Sequence, residues 1–364
     1  MFRFLSFFVL TLFASLVSFS ALALVQAEDL LDVRDAPTEP VPVIFDTDIG
    51  GDIDDAFALG ILHLMADRGK CDLLAVTISR SRGNSADYVR AQNLAFGHPD
   101  VPIGWDPNCP LNTNRGAYSD QTLALKNPDG TPRYPVTPYT CENTLRLQRK
   151  ILADAKDHSI VWIQVGESTN AAALLESGPD DISPLSGREL AEKKVRLLSV
   201  MGGAFGFQDP KYASHREHNI IMDLPAAQKV CADWPGEVVF SGYETGDAIR
   251  LSVCGLENDL SHPSPNFLWD SYVAWCTSNK MPPTHARPCW DLTSVLFVLR
   301  PEKGRDYFTL SEPGKVTVLE NGVTKFTPCE NGKHRVFLTS PVQNARVQEA
   351  FVNLIFIMNH GKTE

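Results

Sequence analysis

Short apolar runs alternate with stretches of helical periodicity along most of the chain. Val41 to Phe45 is an apolar run closed by Asp46, which predicts a buried strand. Asp54 to Ala66 carries Ala58, Ile61, Leu62 and Met65 at helical spacing. Further strands are predicted at Leu73 to Ile78, Val101 to Trp105, Ile160 to Val165, Val195 to Met201 and Val238 to Ser241. Helices are predicted at Ser85 to Phe96, Thr144 to Ala155, Thr169 to Glu176 and around Ala226 to Ala232. Asp106 to Cys141 reads as one long polar loop. Strands alternating with helices predict an α/β fold: one large domain over 41–364, with a mostly parallel central sheet flanked by helices, Rossmann-like in layout. After Arg300 the pattern changes. Lys315 to Leu319, Gly322 to Phe326 and His334 to Leu338 predict a small antiparallel section, followed by a terminal helix from Val342 to Met358. In a parallel α/β sheet, ligands bind beyond the carboxyl ends of the strands, so the residues there are the ones to inspect.

The start of the chain follows other rules. Met1-Phe2-Arg3 is basic, Phe4 to Val17 is almost wholly apolar, and Val25-Gln26-Ala27 offers small residues for cleavage. Residues 1–27 therefore read as a signal peptide, too short in its apolar run to span a membrane. Residues 28–40 form a lead-in, and the mature chain is expected to be secreted or periplasmic, with no membrane attachment. In an oxidising compartment the eight cysteines can pair. Cys109 with Cys141, and Cys276 with Cys289, flank loops and are candidate pairs; buried free thiols are the alternative for both. A net charge of -11 repels phosphate backbones and argues against nucleic acid as a partner.

The first strand runs into Asp46-Thr47-Asp48-Ile49-Gly50-Gly51-Asp52-Ile53-Asp54-Asp55-Ala56. Carboxylates this dense repel one another unless a cation lies among them, and oxygen ligands suit Ca²⁺ or Mg²⁺. The spacing is not that of an EF-hand: no Glu stands at the twelfth position and a strand precedes the loop. An acidic helix start accounts for Asp54 and Asp55 alone.

This run resembles the D-T-D-x-G-x-D-D-A signature of the inosine-uridine-preferring nucleoside hydrolase family, with two extra residues in the loop. The resemblance extends to about residue 300. Arg82-Gly83-Asn84, Val165-Gly166-Glu167-Ser168-Thr169-Asn170, Met201-Gly202-Gly203, Glu217-His218-Asn219 and Trp290-Asp291 follow in the family's order. The resemblance implies a Ca²⁺-dependent hydrolase of N-ribosyl compounds, whose partner is a small ribosyl substrate and, at most, further copies of the chain. It implies that Asp48 binds Ca²⁺ and acts as general base. Asp55, Asp291 and the Val165 carbonyl complete the metal ligands. Asp54, Asn84, Glu217 and Asn219 would bind the ribose, with Glu217 and Asn219 on one face of an extended segment.

Two departures bear on the leaving group. Trp290 stands where many members have the His that protonates the departing base, and it can stack on a base without acting as an acid. Phe205 to Tyr212 lacks an Asn that members often carry there. His215, His218 and His285 are the candidate acids, and Tyr243-Glu244 could also face the pocket. A non-catalytic nucleoside- or sugar-binding protein that keeps the metal site is the competing expectation.

Overall fold

The computed structural model describes residues 39–360, apart from 81–83, 110, 112–117, 252–256, 258–264, 284 and 301–306. The signal-peptide reading of residues 1–27 lies outside the described residues. Among the described residues ten strands form one sheet: β1 (Val41–Thr47), β2 (Cys71–Ile78), β3 (Ile103–Gly104), β4 (Cys141–Glu142), β5 (Ile160–Gln164), β6 (Val195–Met201), β7 (Val238–Ser241), β8 (Gly314–Val318), β9 (Thr324–Pro328) and β10 (His334–Val336). Their spatial order is β4-β3-β2-β1-β5-β6-β7-β10-β8-β9. Neighbours from β4 through to β10 run parallel, and the β10–β8 and β8–β9 pairs are antiparallel. The helices are α1 (Asp54–Asp67), α2 (Ser85–Phe96), α3 (Tyr118–Leu123), α4 (Thr144–Asp154), α5 (Thr169–Glu176), α6 (Gly187–Lys194), α7 (His218–Met222), α8 (Leu224–Asp233), α9 (Tyr243–Ala248), α10 (Phe267–Ser278), α11 (Trp290–Leu299) and α12 (Pro341–His360).

Strand alternation builds the layers. Val43 and Phe45 of β1 enter one core cluster, and Ile44 enters the other. In β5, Val161 and Ile163 share the first cluster, and Ile160 and Trp162 the second. Both faces are thus covered, as a parallel sheet requires. Helix α1 is buried from Asp54 to Met65 and packs on α11 and α12. Strand order reverses between β1 and β5, so the loops after these two strands open a crevice. The acidic loop and Val165 lie at that crevice.

Several elements differ from expectation. The long loop after Asp106 contains α3, whose Tyr118, Ser119 and Thr122 are buried; six mostly polar letters give no helical period to read. Strand β3 is only two residues, because Pro102 has no N–H for the ladder. The C-terminal strands form the expected antiparallel section, and they also extend the main sheet: His334, Arg335 and Val336 pair in parallel with Val238, Val239 and Phe240. Helix α6 went unpredicted although Ser186 and Glu189 form a capping box before it.

Neither candidate cysteine pair is bonded. The Cys109 thiol points at the Ser79 carbonyl and the Cys141 thiol at the Ile103 carbonyl, while Cys276 and Cys289 are buried as free thiols. Cys254 lies outside the described residues. No helix among them is long and apolar enough to cross a membrane.

Candidate functional site

A cavity of about 520 Å³ opens at the crevice beyond β1 and β5. Asp54 and Asp55 start α1, and Asp291 stands in the first turn of α11. One oxygen from each of the three lies within 4.8 Å of the others, and all three side chains are buried. The converging helix N-termini favour negative charge there. Asp54 also accepts the Asp291 backbone N–H at 3.2 Å, which ties the two helix starts together. Burial, then repulsion from Asp48, pushes Asp54 up to about 7. Burial and the neighbouring carboxylates hold Asp55 and Asp291 well above the carboxylate range. No lysine, arginine or histidine among the described residues forms an ion pair with the trio. Three buried oxygen donors in mutual conflict, beside the Val165 carbonyl on the cavity wall, fit a hard divalent cation.

Asp48 is held differently. Its carboxylate pairs with Arg80 Nη2 at 2.7 Å. The same guanidinium donates through Nε to Glu167 at 2.6 Å, and its Nη2 lies 3.0 Å from His218 Nε2. Glu167 also accepts from the Ser79 hydroxyl at 2.7 Å. Burial opposes the charge on Arg80, but Asp48 and Glu167 outweigh it and hold Arg80 above its ordinary value. Asp48, Glu167 and His218 thus gather around Arg80 as a second group. The close approach needs Gly166: a Cβ there would lie 2.6 Å from the Asp48 backbone nitrogen. At the loop apex Gly50 has φ of 108°, where glycine is favoured.

Glu217 and Asn219 line the same cavity, but not from an extended segment. Glu217 is the N-cap of α7, its carboxylate accepting the backbone N–H groups of Gly203, Asn219 and Ile220 at 3.1, 2.9 and 3.2 Å. Asn219 sits in the first helical turn, so cap and first turn, rather than strand alternation, bring the two together. Burial pushes Glu217 up to about 7. The Asn219 amide donates to the Val165 carbonyl at 2.7 Å and the Met201 carbonyl at 3.2 Å. Val165 therefore offers its carbonyl to the cavity with one lone pair already engaged. Asn84 is not among the cavity-lining residues: it stands at the N-cap position of α2 without a side-chain cap bond, and its Oδ1 accepts from Ser119 at 3.1 Å. Arg82 and Gly83 of that motif lie outside the described residues. Asp46 lies beneath the site, bonded to Thr77 and Asn170.

The remaining wall is aromatic. Trp290 donates its indole N–H to the Tyr243 carbonyl at 3.0 Å, and its ring lies 5.2 Å from that of Tyr243. Arg287 lies beside the Trp275 and Trp290 rings, its guanidinium carbon 4.6 and 4.9 Å from their centroids. Asp52, in the acidic loop, grips Arg287 rather than joining the trio. Of the candidate histidines only His218 lines the cavity; His215 packs on Tyr243, and His285 stacks on Trp275. Glu244 turns away to accept the Phe205 and Gly206 backbone N–H groups at 2.9 Å.

Arg80, Glu167 and Arg287 had no role in the sequence reading. The signal for the first two was present: each is a charged residue just past a buried strand, where solvent cannot neutralise it. Nothing in the local pattern marks Arg287, because its partner Asp52 is 235 residues away.

A profile of the inosine-uridine preferring nucleoside hydrolase family matches residues 43–351. The fold is the nucleoside hydrolase fold. The chain belongs to the inosine-uridine preferring nucleoside hydrolase family. Among solved structures it is similar to a plant nucleoside hydrolase, PpNRh1, at TM-score 0.63 and 20% identity, covering 88% of this chain and 99% of that one. A purine-preferring ribonucleoside hydrolase from Gardnerella vaginalis has TM-score 0.64 and 18% identity, covering 87% and 99%. A type III effector protein, XopQ, complexed with adenosine diphosphate ribose, has TM-score 0.58 and 16% identity, covering 89% and 94%. Comparison with curated protein sequences finds no match.

Proposed function

We propose that this protein hydrolyses the N-glycosidic bond of ribonucleosides, or of a related ribosyl compound, with Ca²⁺ as its metal. The buried trio of Asp54, Asp55 and Asp291, without an ion-pair partner among the described residues, is the observation that carries this reading. Asp55, Asp291 and the Val165 carbonyl would hold the ion, with Asp54 close enough to share it. Bound there, Ca²⁺ would supply Lewis acidity toward water and an anchor for sugar hydroxyls. Asp48 would act as the general base, its carboxylate oriented on the cavity wall by Arg80 at 2.7 Å. Glu217 and Asn219 are fixed by backbone bonds and can orient the ribose without rearranging. The complex of XopQ with adenosine diphosphate ribose extends the candidate ribosyl compounds beyond simple nucleosides. The same reading includes export, with residues 1–27 removed; N-terminal sequencing of the exported protein tests it.

A binding protein without turnover is the second reading, and one observation favours it: the Trp290 N–H is already committed to Tyr243, so it cannot serve a departing base. The deciding experiment is an assay of the mature protein against a nucleoside panel, with and without a Ca²⁺ chelator. Release of free base that stops on chelation and resumes with Ca²⁺ supports hydrolysis. Saturable binding with no base released overturns it in favour of the binder.

A further inference from the structure

Asp52 of the acidic loop and Trp290, the residue before Asp291, meet at Arg287. Arg287 Nε donates to Asp52 Oδ1 at 2.9 Å, and Nη2 donates to Asp52 Oδ2, a forked pair. The indoles of Trp275 and Trp290 flank the guanidinium. The Arg287 carbonyl accepts from Leu251 N–H at 2.9 Å, which fixes its main chain. The side chain is 18% exposed, and Arg287 lines the same cavity as the acidic trio. No hydrogen bond from Nη1 is found among the described residues. An ordinary surface ion pair needs none of this: exposed pairs contribute little and are loosely held. A planar fork locked by a carboxylate and two rings is a preorganised donor with one edge left for a ligand.

We propose that Arg287 receives the leaving group, its Nη1 edge donating hydrogen bonds to the base as the glycosidic bond breaks; this rests on the N-glycosidase reading above. The C1′–N bond breaks with its electron pair passing to the base. The oxygen of water bonds to C1′, and the proton it sheds passes to Asp48. Arg287 keeps its own protons and stabilises the negative charge gathering on the base, which takes a proton from solvent after departure; Asp48 returns its proton to solvent. Asp52 is then a positioning residue, aiming the guanidinium. The other cation at the site cannot take this part, because Arg80 is committed to Asp48, Glu167 and His218.

The test is kcat/KM on inosine, uridine and p-nitrophenyl riboside, whose leaving groups differ in basicity, for the wild type, Arg287→Met and Asp52→Asn. Arg287→Met should lose about 10²-fold on inosine, in the range for removing one preorganised donor. Its loss on p-nitrophenyl riboside should be at least about tenfold smaller, since that leaving group needs little help. Asp52→Asn should show the same ordering with smaller losses. Equal losses on all three substrates would mean a structural role and overturn the proposal. Should Arg287→Met not fold by circular dichroism, the ordering in Asp52→Asn decides alone. A wild type that cleaves none of the three overturns the N-glycosidase reading, and this proposal with it; cleavage with equal losses overturns this proposal only.

Discussion

Asp48 and Glu167 share one guanidinium, whereas Asp54, Asp55 and Asp291, on the same cavity, have no ion-pair partner among the described residues. Both groups are acidic and largely shielded from water, so any charge they carry must be met somehow. In the first group Arg80, carried on the chain itself, meets it. In the second the charge waits for an ion from solution or for protons. The difference is in how the carboxylates are held: Arg80 fixes the orientation of Asp48 at the cavity wall, and no side chain among the described residues does the same for the trio through an ion pair.

Removing Arg80 breaks this contrast most severely. Arg80→Met leaves two carboxylates facing each other and should cost about 3–5 kcal/mol of stability, the range for orphaning a buried charge. Denaturant unfolding measures it; a loss below about 1 kcal/mol would mean that solvent already screens the pair. Asp48→Asn keeps an oxygen in place but removes the proton acceptor, so turnover should fall at least about 10²-fold with substrate affinity much less changed. Near-normal turnover would remove the base role. Asp291→Ala acts on the other group, and calorimetry should register a loss of Ca²⁺ affinity of at least about tenfold. An unchanged affinity would move the metal elsewhere.

Acidity sharpens the comparison further. In the folded, calcium-free protein Glu217 and Asp54 stand near 7, against ordinary values of 4.5 and 3.8. The folded state therefore holds more protons than the unfolded chain between those values. Its stability should be greatest at low pH within that window and should fall as pH rises through about 7. Thermal melts in chelator should show a falling midpoint from pH 5 to 8, and saturating Ca²⁺ should flatten the curve. A midpoint that rises with pH in chelator would contradict the shifts. The smallest effect is expected from Trp290→Ala, which should weaken substrate binding by up to about tenfold, the scale of a lost aromatic contact. Equilibrium titration with a slowly cleaved riboside measures it.

Much of this was legible in the sequence because it is local. The acidic loop, the strand before it and the helix after it are contiguous, and period and composition mark each one. Asp291 was legible only by resemblance, since nothing within ten residues of it refers to the acidic loop. The partner choices were not legible at all. Whether Asp52 turns to the metal or to Arg287, and whether Asp48 stands alone or beside Arg80, depends on which strand ends meet. The same limit applies to Asn84, whose motif was readable while its position outside the cavity was not. The β10 register on β7 is likewise a long-range fact: three residues of alternating pattern do not say which edge they join.

The hairpin of β8 and β9 has a consequence for how the protein is made. Thr324 Oγ1 accepts the Ala204 N–H at 2.9 Å and donates to the Ala204 carbonyl at 2.8 Å, so β9 clasps the backbone one residue from the Gly203 N–H that Glu217 receives. A chain emerging from the ribosome carries every acid of the site once Asp291 is made, yet the clasp on that loop arrives more than thirty residues later. Assembly of the site is therefore a late, long-range event, of the kind that slows folding. A nascent chain halted at residue 300 would hold the site's acids and still lack a finished pocket.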